Sequence, residues 1–196
     1  MPIAKSSMAD SIHAGVGKTA LDAEHSGFGG VFTLTCFDKD GNLKWEDKFH
    51  NLVVNQGLQD LNTQYFKGSG WGPSWYLGLV DGASSPTYAA GDTLASHAGW
   101  TEVVAGTVYS GARKLVSFGT ATTADPSVIS NSASPAVFSI IATATIAGAF
   151  LCGGATSGAS GTTATLFSEG SFTGGNKSVA NGDTVNVTYT FSADAV

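Results

Sequence analysis

Between Pro126 and Ser168 the chain carries no charged residue, and inside that span lies its most apolar run, Ala136–Leu151 (AVFSIIATATIAGAFL). The run approaches the length of a membrane-spanning helix, so it is either such a helix or strand buried in a core. Against the helix stand Ser139, Thr143 and Thr145 within the run, the absence of Lys or Arg at its flanks, and five β-branched residues between Val137 and Thr145. β-Branched side chains lose rotamers against a helical turn but pack well on a pleated surface. The expectation is one long strand, or two strands broken at Gly148, and no membrane span.

Other segments repeat the strand pattern. In Val31–Phe37 the residues Phe32, Leu34 and Cys36 alternate with Val31, Thr33, Thr35 and Phe37. The sequence DKDGN follows, with Gly41 free to take a positive φ, and the pattern resumes at Leu43, Trp45 and Phe49, which makes a hairpin the simplest account. The cleanest alternation is Thr184–Ser192: Val185, Val187, Tyr189 and Phe191 face one way, Asn186, Thr188 and Thr190 the other, after a turn at Asn181-Gly182-Asp183. Further strands are expected at Trp71–Val80, Thr101–Tyr109, Arg113–Thr120 and Leu166–Thr173. Loops are expected at 81–92, 122–135 and 152–163, with one short turn in Thr93–Trp100. Many short strands separated by turns, in a chain with 26 glycines, predict a mainly β fold, a jelly-roll-like antiparallel β-sandwich.

Only Asn51–Phe66 reads as an amphipathic helix, led in by Val53 and Val54 as strand. Asn55 is the expected N-cap, and Leu58, Leu61 and Tyr65 share the face expected to close one end of the β-body. Residues 1–30 lack any sustained period and read as an extended N-terminal arm, so the sandwich is assigned to 31–196. The apolar residues of the arm, Ile3, Ile12, Val16 and Leu21, are candidate interface residues together with Trp71, Trp75 and Trp100.

Charge narrows the partners. Nine basic residues, scattered, and a formal net charge of −6 argue against wrapping nucleic acid, which needs clustered Lys and Arg. Charged residues make up only 12% of the chain, so a surface rich in Ser, Thr, Gly and Ala is expected to be covered by neighbours, in a homo-oligomer or a lattice. Cys36 and Cys152 lie far apart in apolar settings and read as free buried thiols. With no secretory leader pattern at Met1–Thr19, synthesis in a reducing cytoplasm is expected.

Patterns that carry chemistry fail on spacing. Gly15-Val16-Gly17-Lys18-Thr19 ends like a phosphate-binding loop, yet the required earlier glycine is Ile12 and no strand precedes it. Asp38-Lys39-Asp40-Gly41 starts like a calcium loop, but Gly41 comes too early and Phe49 holds the twelfth position. His13, His25, His50 and His97 share no ligand spacing with one another or with the cysteines. No G-x-S-x-G elbow occurs, and Glu102 and Glu169 would make a glycosidase pair only by meeting in one cleft. No cofactor, no metal and no enzymatic activity are expected. Trp71, Trp75, Tyr76 and Trp100 are read as core or interface aromatics, with a sugar-binding platform as the alternative.

Several phrases in order carry a resemblance. They are Asn51-x-Val53-Val54-Asn55-x-Gly57-Leu58, then Trp75-Tyr76-Leu77-Gly78-Leu79-Val80-Asp81-Gly82, then Gly91-Asp92-Thr93-Leu94 with His97-Ala98-Gly99-Trp100-Thr101-Glu102. Gly148-Ala149-Phe150-Leu151, Leu166-Phe167-Ser168-Glu169-Gly170-Ser171-Phe172 and Gly182-Asp183-Thr184 complete the series. Together they resemble tailed-bacteriophage virion proteins, most like the capsid cement or decoration proteins with jelly-roll-like folds. The resemblance implies a structural virion protein on the capsid surface, partnered by the phage major capsid protein and by copies of itself, without an active site. Its alternative is a tail- or fibre-associated protein that binds host surface glycans.

Overall fold

The structure, a computed structural model, describes residues 27–67, 74–83, 85–153 and 160–194. In chain order its elements are β1 (Phe28–Phe37), β2 (Leu43–His50), β3 (Leu52–Val53), the helix α1 (Asn55–Asn62) continued by a π-helical turn at Thr63–Lys67, β4 (Trp75–Asp81), β5 (Lys114–Leu115), β6 (Ser127–Ser130), β7 (Ala136–Ser139), β8 (Ala144–Gly153), β9 (Thr165–Ser171), β10 (Lys177–Val179) and β11 (Thr184–Ala193). The first sheet has the order β2-β1-β11-β6, with β7 also on β11; the second has the order β3-β9-β8-β4-β5, with β10 also on β8. All the strand pairs are antiparallel. The chain crosses between the sheets from β2 to β3, β5 to β6, β7 to β8 and β10 to β11, which builds the expected sandwich.

The main core follows from the alternation. Phe32 pairs with Tyr189, Leu34 with Val187 and Cys36 with Val185, and all six side chains are buried. They meet Leu77, Leu79, Ile146, Ala149 and Leu151 from the second sheet. The β1–β2 hairpin turns at 38–42 with Gly41 at φ 84°, and Asp38 Oδ1 accepts the amides of Asp40 and Asn42 at 2.9 Å each. These aspartates form a turn, as their spacing implies.

The apolar run does become two strands, but the break falls at 140–143 and not at Gly148. β7 belongs to the first sheet and β8 to the second. Gly148 lies inside β8, where a Cβ would come 1.9 Å from the Gly170 carbonyl oxygen. Only glycine permits that approach of β8 to β9. The β4–β8 register shifts at the same level, between Val80 and Asp81. Ile146, Ala149 and Leu151 therefore face the main core, whereas Ala147, Phe150 and Cys152 face a second core on the other side of the sheet. Segment 86–101 roofs that second core with Leu94 and Trp100, which are 1% and 3% exposed, and Tyr88 packs at its margin.

Several local expectations are corrected. In the expected strands Thr101–Tyr109 and Arg113–Thr120 there are only isolated bridges, such as Val80 with Glu102 and Tyr109 with Ile140, and the two-residue β5. This part of the chain crosses the sandwich and pairs with what it passes. The expected loop 122–135 contains β6, and β10 had no sequence signal. Val54, and not Asn55, holds the N-cap of α1, with extended backbone and no side-chain capping bond. The Asn55 amide instead donates to the Ala90 carbonyl at 2.8 Å. The helix rests on Gly57, whose Cβ would meet the Phe167 carbonyl oxygen at 2.4 Å, and on Leu61. Leu58 and Tyr65 are 38% and 80% exposed, so the face expected to pack is only partly used. Among the described residues no helix is long and apolar enough to cross a membrane.

Candidate interaction surface

The alternation that fills the main core also dictates what the first sheet shows outwards. Thr33 lies opposite Thr188, Val31 opposite Thr190 and Thr35 opposite Asn186. These outward side chains stay partly exposed, and no segment of the described chain buries them. The neighbouring β7 adds Val137, 48% exposed, and Ser139. Among the described residues, charge on this face appears only at the edge strand β2, as Glu46 and Lys48, with His50 at the end of the same strand. The centre of the face therefore offers hydroxyls and methyl groups, while the Asn186 amide oxygen is itself buried. Threonine and valine are stiff at χ1, so ordering them against a partner costs little rotamer freedom. Such a face can bury apolar area and exchange hydrogen bonds, and its centre, away from β2, carries no ionisable side chain among the described residues.

The expected interface residues lie elsewhere or beyond view. Ile3, Ile12, Val16, Leu21 and Trp71 are outside the described residues, as is the stretch Gly15–Thr19. Trp75 opens β4, sets its edge on Phe167 with ring centres 5.3 Å apart, and lines an apolar groove of about 310 Å³ with Leu61, Phe118, Ile129 and Phe191. Trp100 is sealed in the second core, stacked on His97 at 3.9 Å and packed on Phe150 at 5.1 Å. Trp75 packs on the main core and Trp100 in the second core, so the second sheet stands between them. They do not make one aromatic platform.

Sequence reasoning missed the buried polar groups. Arg113 is the only arginine in the chain and is 7% exposed. It grips Glu102 through two bonds, Nε to Oε1 at 2.8 Å and Nη2 to Oε2 at 2.6 Å, and donates to the Gly161 carbonyl at 2.9 Å. Its guanidinium also lies over the Phe150 ring at 5.3 Å. A planar fork suits this bidentate, stacked role where lysine does not. Asp47, on β2, ties down the β9–β10 loop: it accepts from the Thr173 amide and hydroxyl, from the Gly174 amide, and pairs with Lys177 at 3.2 Å. Burial pushes the Asp47 carboxyl up, but these bonds outweigh it and hold the group below its ordinary value. Asp183 accepts the Ala180 amide at 2.7 Å and pairs with Lys44, which locks the turn before β11. The only advance signal was scarcity: in a chain this poor in charge, each ion is expected to have a job.

Chemically the described chain is quiet. It holds no group of three or more His, Cys, Asp or Glu placed to share a metal ion. Cys36 and Cys152 are buried thiols, and burial, chiefly, pushes both up to about 11, far from the thiolate that nucleophilic chemistry needs. Glu102 is committed to Arg113 beside a cavity of about 280 Å³, and Glu169 is no part of that cavity's wall. No family model matches the chain, and no curated protein or solved structure matches it.

Proposed function

We propose that this chain is a structural protein of a tailed-phage virion, a decoration or cement protein that binds the outer surface of the major capsid shell and stabilises it. One observation carries the reading: no described segment covers the charge-poor, hydroxyl- and methyl-covered outer face of the first sheet, while segment 86–101 closes the matching face of the second sheet. The ordered phrases that resemble virion proteins and the scarcity of charge support it. In this reading copies sit across the joints between capsid subunits, and binding to the assembled shell alone shifts the assembly equilibrium towards it. The residues Ile3, Ile12, Val16 and Leu21 of the N-terminal arm serve contact with a neighbouring copy or subunit. The alternative, a glycan-binding tail or fibre protein, gains nothing from Trp75 and Trp100 on opposite sides of a sheet.

The full chain, mixed with expanded shells of its cognate major capsid protein, is expected to co-sediment at a fixed ratio to capsid subunits and to raise the melting temperature of the shells. Shells that neither retain the protein nor melt at a higher temperature would sink the proposal.

A further inference from the structure

Beneath the roof of the second core lies a carboxyl group that the proposed function does not use. Glu169 stands on β9 directly across from Phe150 on β8 and from Leu52 on β3, and is wholly buried. Its polar neighbours come from the roof: the Asp92 carboxyl, the Trp100 indole nitrogen and the Ala89 amide. None of them meets either Glu169 oxygen in good hydrogen-bond geometry. Asp92 is itself 9% exposed and accepts the Ala89 amide at 3.2 Å.

Among the described residues no ion pair joins a cation to Glu169. Tyr88, from the roof, faces Ser171 two residues further along β9. His97 stacks on Trp100. Cys152 lies on β8 with a thiol pushed upwards. Arg113, the cation that sits over Phe150, is committed to Glu102. An ionised Glu169 would therefore be a buried anion facing a second carboxylate without a cation of its own, an arrangement that proteins avoid by keeping one proton.

We propose that Glu169 is kept as a neutral acid beneath the 86–101 roof, and that its ionisation, which would leave a buried anion against the roof, loosens the roof from the second sheet. Burial first, and then the Asp92 carboxylate, push the Glu169 carboxyl from its ordinary 4.5 up to about 8. The sign follows from linkage. A folded value raised above the free value means that the roof is held most firmly below about 4.5, that its hold weakens as the pH rises, and that it reaches its floor above about 8. The roof is thus a pH-sensitive cover whose release exposes Trp100, Leu94 and Phe150.

Hydrogen exchange of the 86–101 amides in the full chain, corrected for the intrinsic base-catalysed rate, tests this directly. Opening is expected to rise about tenfold per pH unit from pH 5 to 8 and then level off. In Glu169→Gln, which cannot ionise, the same amides should show no such slope, and infrared spectra should lose a protonated-carboxyl band present in the parent protein at pH 6.5. If Glu169→Gln does not fold, Asp92→Asn removes the like charge and keeps Glu169, and the levelling-off should move to lower pH. A flat profile in the parent protein, an unchanged slope in Glu169→Gln, or an unmoved plateau in Asp92→Asn would overturn the proposal.

Discussion

The outer face of the first sheet and the outer face of the second are made by strands of similar length, yet one is open and the other is closed by the chain's own roof. β1 from Gly30 onwards and β11 as far as Tyr189 alternate, so their inward residues are buried while Thr33, Thr188 and their neighbours stay accessible. From Ile146 onwards β8 is buried on both sides, and so are the four central residues of β4. Alternation marks a strand with one wet face, and continuous apolar sequence marks a strand covered twice. The closed side has its own core around Phe150 and Trp100, its own ion pair at Arg113, and a buried acid at Glu169. Among the described residues the open side has none of these, and it is the side that the proposed function gives to another molecule.

That contrast can be broken by substitution. Phe150→Ala empties the centre of the closed side, where the ring is fully buried between Trp100 and Arg113. A loss of about 3–5 kcal/mol is expected from chemical denaturation, the usual cost for a buried aromatic. A loss below about 1 kcal/mol, the level of an average substitution, would mean that the second core adds little to the fold. Arg113→Ala strands Glu102, but that side chain is 24% exposed and can rehydrate. Its expected cost in the same measurement is about 2 kcal/mol, below the ~3–5 kcal/mol of a fully buried pair. The smallest effect on stability belongs to the open side. Thr188→Glu places one charge in the middle of that face and should cost less than about 1 kcal/mol, within the span of strand propensities. It should nevertheless abolish binding to capsid shells, and shells that retain the variant at the parent level would remove this face as the contact.

Much of the sandwich was legible because strand periodicity is a local signal. Val185, Val187 and Tyr189 announce their face within six residues, and DKDGN announces its turn within five. The candidate surface was half legible. The outward threonines of β11 could be read from alternation, but that they stay uncovered depends on every other segment of the chain. Trp100 shows the limit. As a large aromatic in a polar, glycine-rich stretch it reads equally as core, interface or sugar platform, and only its burial against Phe150 separates them. Leu58 and Tyr65 show the same limit for the helix, because Gly57 lets Phe167 approach and that pivot has no side chain to signal it.

The sequence by itself determined the class of fold, the β1–β2 hairpin, the polarity of β1 and β11, and the strand nature of the apolar run. Each rests on side-chain alternation, turn chemistry or β-branching among neighbours in the chain. Only the tertiary structure decided that the run breaks at 140–143, that a loop seals the second sheet, and that Glu169 is wholly buried beneath it. Those outcomes depend on contacts between residues up to about a hundred positions apart, which β pairing sets through register and close backbone approach and which no local pattern encodes.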